Sequence, residues 1–466
     1  MKDGEAGVDY FHRMIHGSYS RGTAWSLWFT RRIGSSGWLM LGLAAISALL
    51  GLNVEQGRVF LVFGLLASML FTALVWAWLR RGKISVAREL PEYASVGEKL
   101  NYLVTFENTG GRTLRGAWLR ESEPDVRPSL WEFFSQREPR EELRNGFDRR
   151  FAYYRWRWLI ERGGVFEPME KVKLKNLKRG EKGRAHLSLL PLRRGVIQLS
   201  EMRLYLADPF GFFQRCQKAH GEEGSLLVLP KRYHLPEVEL AGELGLQRGG
   251  EASSQARGAG GEFLGLRDYR SGDPLRNIHW RSWAKTGRPI VINHEEFWFP
   301  RYGLVLDTAL DGAGPEVFEE AVSVAASYVS TVDTRKCLLD LMFVREEPRV
   351  ITAGRGMGKA SALLEVLAMV KAGPPSSYDE LSKLVLRHGD ELTALLVVLN
   401  GWSEARANLL NRWAAAGLEV HAIVVCADKE KEMEKALKWR VAMPVKWLRS
   451  GYIQEDLLNE RSGNPD

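Results

Sequence analysis

Two long runs without a single charge stand near the start of the chain, at residues 34–54 and 59–79. At about 1.5 Å per helical residue, each can cross a hydrocarbon core roughly 30 Å thick. Only a short polar stretch divides them, so they predict an antiparallel helical hairpin over residues 34–83. The first run begins late and the second follows at once, which fits a cleaved signal peptide poorly. Arg31 and Arg32 precede the pair and Arg80, Arg81 and Lys83 follow it, whereas the turn offers Arg58 beside Glu55. That asymmetry places both ends on the cytoplasmic face of an inner membrane. Trp38, Trp76 and Trp78 fall near the span ends. The leading segment, 1–33, is rich in His, Arg, Tyr and Trp, and reads as an interfacial segment or as a free tail.

From residue 84 the pattern changes to a period of two. Leu100, Tyr102, Val104 and Phe106 alternate with polar neighbours, and Asn108-Thr-Gly-Gly111 supplies turn chemistry. Further short strands are expected at 114–119, 185–190, 196–199, 202–206 and 226–229. Together they predict a β-sandwich over 84–240 that resembles an immunoglobulin-type module. Asp208-Pro-Phe-Gly-Phe-Phe213 interrupts the series as a structural turn. Residues 129–182 form an aromatic and basic insertion. In Tyr154-Arg-Trp-Arg-Trp158 strand geometry would set three aromatics against two arginines. Such a platform suits single-stranded nucleic acid. Glu138, Glu141, Glu142 and Asp148 dilute any basic groove, so a membrane-surface or packing role is the preferred reading. Residues 241–261, rich in Gly, Ala and Ser, read as a flexible connection within a linker-and-signature region at 241–300.

After Pro300, apolar runs alternate with amphipathic stretches. Strands are expected at 302–307, 337–344, 350–352, 395–399 and 420–426, with helices at 317–332, 360–370 and 404–415. This alternation predicts a doubly wound, mainly parallel sheet over 301–450 and a tail over 451–466. Ligands of such sheets collect at the carboxyl ends of strands. Residues 353–360 (AGRGMGKA) hint at a phosphate loop, but Ala353 and Ala360 occupy positions that need Gly and Ser or Thr.

The chain has 466 residues, enough for two or three domains, and a net charge of +8 spread over both signs. Near a membrane that excess suits anionic lipid. Three widely spaced cysteines, Cys216, Cys337 and Cys426, argue for reduced surroundings and against a disulfide framework.

Residues 262–285 (EFLGLRDYRSGDPLRNIHWRSWAK) interleave Arg267, Arg270, Arg276 and Lys285, and Glu262, Asp268 and Asp273, with Phe263, Leu266, Tyr269, Leu275, Ile278, Trp280 and Trp283. Guanidinium groups pair with carboxylates and stack on rings, so such a segment can fix its own shape. The run resembles the signature of the bacterial "domain of unknown function 58" family: Glu-Phe, Leu-Arg-x-Tyr, Gly-Asp, an Arg, Ile-His-Trp or Ile-Asp-Trp, and a closing Ala-Arg. Lys285 stands where Arg is usual, and Trp283 where a small residue is common. The signature positions are Glu262, Arg267, Tyr269, Gly272, Asp273, Arg276, His279, Trp280 and Lys285, expected as structural or partner residues at the join between sandwich and sheet. The resemblance implies a membrane-anchored, non-enzymatic scaffold working with a MoxR-type AAA+ ATPase; contacts are expected at the strand-end loops near Asp307, Gly354–Gly358 and Gly401–Trp402, together with the signature. It also implies a von Willebrand factor A-like C-terminal domain. In that fold the first strand ends in Asp-x-Ser-x-Ser around Mg²⁺. Here the run is Asp307-Thr-Ala-Leu-Asp311. Either Asp307 and Asp311 keep a degraded metal site, or Asp307 fixes its loop. The rival class is a hydrolase using Asp273, His279 and Asp307. Neither a nucleic acid nor a small-molecule substrate is expected.

Overall fold

In the computed structural model the described residues are 10–51, 57–138, 141–235, 262–270, 272–273, 275–295, 300–311, 314–333, 337–344, 347–354, 358–374 and 377–458. The chain is a mixed α/β protein with large sheets, and divides into two compact units, residues 1–231 and 232–466. The expected boundary at 240 lies outside the described residues.

The first unit opens with helices α1 (Tyr10–Thr30), α2 (Ser35–Leu50) and α3 (Gly57–Leu79). The first apolar run is helical only to Leu50, about 24 Å for 16 residues. Residues 52–56 lie outside the described ones. Helix α3 is long and apolar enough to cross a membrane by length and composition. It packs against α2, and the buried positions on the two helices include the small residues Ala44, Ala73 and Ala77, which permit close approach. Their large side chains face outward: Leu61 is 73% exposed and Phe71 68%.

The strands follow as β1 (Ile84–Glu89), β2 (Tyr93–Ser95), β3 (Leu100–Asn108), β4 (Ala117–Glu121), β5 (Phe166–Pro168), β6 (Val172–Lys173), β7 (Lys182–Pro191), β8 (Gly195–Leu199), β9 (Met202–Ala207), β10 (Gln214–Gly221) and β11 (Gly224–Leu229). Eight of them make one sheet in the order β5-β7-β3-β1-β10-β9-β4-β6, and three make another, β2-β11-β8. Side chains of both sheets share one core, with Val104, Leu119, Leu189 and Leu204 from the larger and Ile197, Leu226 and Val228 from the smaller. The period-two reading of β3 holds: Tyr102, Val104 and Phe106 are buried and Asn101 is exposed. Asn108 ends that strand as a buried amide, donating from Nδ2 to the Arg112 (2.9 Å) and Leu177 (3.1 Å) carbonyls. Inside this core the Arg88 guanidinium pairs with Glu121 (2.7 Å), which also accepts from the Tyr102 hydroxyl (2.8 Å). A carboxylate so placed needs both donors, because burial without them is costly.

The insertion differs from the expected strand. Residues 129–163 form helices α4 (Leu130–Ser135), α5 (Gly146–Phe151) and α6 (Tyr153–Gly163). Tyr154 to Trp158 thus lie on one helical turn and more, not on alternate faces of a strand. The buried positions Ala152, Trp156 and Leu159 follow helical spacing and pack with Phe133 and with Ile15 of α1. Within the leading segment, α1 (Tyr10–Thr30) is therefore part of this helical cluster. Tyr19 adds a hydrogen bond from its hydroxyl to the Phe151 carbonyl (3.1 Å).

In the second unit β12 (Glu262–Asp268) and β13 (Ile290–Glu295) form an antiparallel hairpin that encloses helix α7 (Trp280–Thr286). A six-stranded sheet follows, built from β14 (Arg301–Leu306), β15 (Leu338–Val344), β16 (Pro348–Ala353), β17 (Ala394–Asn400), β18 (Val420–Cys426) and β19 (Val445–Arg449), in the order β16-β15-β14-β17-β18-β19. All neighbours are parallel except β15 and β16. Helices α8 (Pro315–Thr331), α9 (Ala360–Met369), α10 (Ser377–His388), α11 (Glu404–Ala415) and α12 (Lys429–Lys438) connect the strands. The strands β14 and β17 are almost wholly buried, as a sheet covered on both faces requires. The expected tail is in part structured: helix α13 (Ile453–Leu458) buries Ile453 and Leu457, and its Asp456 pairs with Arg449 of β19 (3.1 Å).

Candidate functional site

The strand order of the second unit reverses between β14 and β17, so the crevice outside their carboxyl ends is the natural ligand position of this sheet. Asp307 follows the last residue of β14 and Asn400 closes β17. Between them lies the Arg406 side chain, from the first turns of α11. Asp307 and Arg406 are each 1% exposed. Arg406 Nε donates to Asp307 Oδ2 at 2.7 Å, and Nη2 donates to the Ala309 carbonyl at 3.0 Å and to Asn400 Oδ1. Asp307 Oδ1 accepts the Ala309 N–H at 2.9 Å, and the Asn400 amide donates to the Asp307 carbonyl at 3.2 Å. The Tyr378 ring of α10 lies 5.5 Å from the guanidinium carbon. Burial pushes the Asp307 carboxyl up from its ordinary value, against the pull of Arg406 and of the Ala309 amide.

This arrangement does not fit a divalent cation. Both carboxylate oxygens of Asp307 are engaged by N–H groups, and Arg406 Nη1 stands 3.9 Å from Asp311 Oδ2. A dication placed between the two carboxylates would sit against a buried guanidinium, in surroundings where like charges repel strongly. Among the described residues no three His, Cys, Asp or Glu side chains come together as a metal-holding group. Asp307 fixes its own loop through the Ala309 N–H, the Asn400 amide and Arg406.

The signature segment builds its own scaffold. Arg267 of β12 grips Asp273 with two parallel hydrogen bonds of 2.7 Å each, and Asp273 also accepts the Arg270 N–H at 2.8 Å. Arg267 first, then the Arg270 amide, hold the Asp273 carboxyl down at about 2. Gly272, just before it, has φ 109°, a backbone conformation that side chains resist. The Tyr269 N–H donates to the Pro289 carbonyl (2.9 Å) and the His279 N–H to that of Ile290 (2.8 Å), which closes the segment onto β13. His279 precedes α7, and its Nδ1 lies 2.7 Å from Ser282 Oγ. Trp280 is exposed and stacks on Trp283 at 5.2 Å, while Leu266 and Leu275 are also exposed. Arg276 and Lys285 lie at the surface. Glu262 opens β12, and its side chain lies outside the described residues.

Asp273, His279 and Asp307 are each committed to other partners, and no hydrogen bond or ion pair among the described residues joins any two of them. A carboxyl near 2 is far from the range a general base needs at neutral pH. The expected contact loops are also redistributed. Because β16 runs antiparallel, its end at Ala353 pairs with Leu339, at the amino end of β15. Gly354 therefore lies at the amino end of the parallel strands, opposite the carboxyl ends where Asp307 and Gly401 stand, and Gly354 N–H is held by the Gly358 carbonyl (3.1 Å). Trp402 is buried against Trp447 (5.4 Å), not presented to a partner. Arg406 was missed by sequence reasoning. Its signal was present: it falls on one helical stripe with Leu410 and Trp413, an apolar face where an unpaired arginine would not survive.

No family model matches the chain, and no curated protein matches it. Solved structures with some likeness include a CARDB domain from Pyrococcus furiosus (8% identity, 30% of this chain and 88% of that one, TM-score 0.14). A cohesin module from a Clostridium perfringens family 33 glycoside hydrolase shares 9% identity over 32% of this chain and 98% of its own, at TM-score 0.16. An exo-β-N-acetylglucosaminidase from Vibrio harveyi shares 10% identity over 79% and 81%, also at 0.16. At such scores none of these defines a shared fold, and no activity transfers from them.

Proposed function

We propose that this protein is a membrane-anchored docking protein of the "domain of unknown function 58" kind, which presents a von Willebrand factor A-like unit to a MoxR-type AAA+ ATPase. The observation that carries this reading is the outward face of α2 and α3. Among the described residues Leu61, Phe71 and Trp76 are each more than half exposed on α3, as are Trp38 and Leu39 on α2, and a bilayer is the partner that such a surface needs. With α2 and α3 as a two-span hairpin, arginine-rich flanks keep both ends of the chain on the cytoplasmic side of the inner membrane. The two sheets over one core in the first unit support the immunoglobulin-like sandwich. The strand order of the second unit, with its single antiparallel strand, supports the von Willebrand A-like reading. The self-braced signature hairpin, with Trp280, Leu275 and Leu266 exposed among Arg276, Arg281 and Lys285, supports a docking role over catalysis. Anchoring two partners at one membrane raises their effective concentration without new contacts.

Crosslinking in native membranes, followed by mass spectrometry, tests the partner. The reading expects an AAA+ ATPase joined to the second unit, and its loss when residues 262–450 are deleted. Crosslinks that persist after that deletion, or a set of partners without any ATPase, would overturn it.

A further inference from the structure

A cavity of about 700 Å³ opens in the first unit where α1, α2, α3 and β10 meet. The loop after β9 is folded around Asp208, whose carboxylate accepts the N–H groups of Phe212 (3.3 Å) and Phe213 (2.5 Å). That loop is stapled to the start of α2: Gly34 N–H donates to the Phe212 carbonyl (2.9 Å) and the Ser36 hydroxyl to that of Gly211 (2.8 Å). Gln214 N–H donates to the Arg32 carbonyl (2.8 Å). A Cβ on Gly37 would lie 2.2 Å from the Phe212 oxygen, so the approach needs glycine there.

Two kinds of wall meet in this space. Leu41 and Leu74 come from the apolar helices, each about two turns or less from the polar end. Arg32 and Arg215 come from the α1–α2 junction and from β10, flanked by Trp28 and Trp78. The Arg32 guanidinium lies 4.3 Å above the Trp28 ring, and Arg215 donates to the Trp78 carbonyl. Burial, then Arg81 and Arg32, push the Arg215 guanidinium down from its ordinary value, so three cations crowd one place. Among the described residues no ion pair joins Arg32, Arg81 or Arg215 to a carboxylate. Concentrated positive charge at the root of apolar helices calls for an anion from outside the chain.

We propose that this cavity binds an anionic membrane phospholipid, with the phosphodiester on Arg32 and Arg215 and the first part of an acyl chain along Leu41 and Leu74. The proposal rests on α2 and α3 spanning the bilayer. Free phosphate shares the anion chemistry but leaves the apolar wall uncovered. Tryptophans at both sides suit the headgroup level, where an indole keeps its ring in the apolar zone and its N–H in the polar one.

The test uses the full chain, delipidated in detergent and then supplied with phosphatidylglycerol, phosphatidylcholine or inorganic phosphate. Native mass spectrometry and thermal unfolding are read together. Retention of phosphatidylglycerol and a rise in Tm with it alone are expected. The Arg32→Gln/Arg215→Gln variant should bind that lipid about thirtyfold more weakly. Arg32→Lys/Arg215→Lys, which keeps the charge, should retain the preference and shows that the fold tolerates change there. Equal retention of both lipids, or a preference that survives the double Gln variant, would overturn the site. A full response to phosphate alone would overturn the lipid assignment. Flotation with phosphatidylcholine vesicles separates these results from failure of the membrane reading: in that case the chain floats with vesicles of no composition.

Discussion

A guanidinium buried at the carboxyl ends of two parallel strands holds its place only while a carboxylate faces it. Arg406 and Asp307 make such a pair, so removing either partner leaves a charge in a dry site. Arg406→Met is expected to cost about 3–5 kcal/mol, read as a lowered denaturation midpoint, with Asp307→Asn/Arg406→Met recovering part of the loss. The Arg267–Asp273 pair is only partly buried, and its consequence is a pH dependence instead. Asp273 has a depressed carboxyl pKa, so its contribution is present above the ordinary value of about 3.9 and disappears as pH falls toward 2. Protection of the Arg270 amide, corrected for intrinsic exchange and compared with that of Gly287, should stay level to about pH 4 and decline below it. Asp273→Asn should flatten that profile. At this scale Asp273 was legible because its partner Arg267 stands six positions away, and Asp307 because it ends an apolar strand run. Arg406 could not be tied to Asp307, since 99 positions separate them and only the fold brings them together.

Elements were legible where periodicity and burial agree. Strand β3 alternates cleanly and lies half in the core, and β17 is one apolar run, buried throughout. Two failures have physical causes. Residues 154–158 alternate aromatic and basic over five positions, too short a window to exclude a helix, and the hydrophobic contacts of Trp156 and Leu159 with α1 decide for one. Strand β10 (QRCQKAHG) shows no apolar alternation, because most of its side chains are partly exposed; backbone pairing with β9 and β1 makes it a strand. For α3, the expectation concerns its solvent. Leu65→Arg places a charge near the middle of the helix, at a cost of about 2.5–3.5 kcal/mol in hydrocarbon. Flotation of the variant with vesicles should fall sharply, while its α/β unit keeps a native unfolding transition. Unchanged flotation would mean that α3 does not lie in lipid.

For the whole molecule, the apolar helices α2 and α3, the two-sheet unit and the six-stranded sheet all rest on patterns of apolar residues that a single sequence displays. The direction of β16 does not, since an antiparallel edge strand reads like any other, and it placed one expected contact loop at the amino end of the parallel strands. The account of function depends on the outward face of α2 and α3 meeting a bilayer. Alkaline carbonate extraction of membranes carrying the full chain tests this most directly, with a variant lacking residues 35–79 alongside. The account predicts that the full chain stays in the membrane pellet while the shortened chain is released. Release of the full chain at high pH would contradict it.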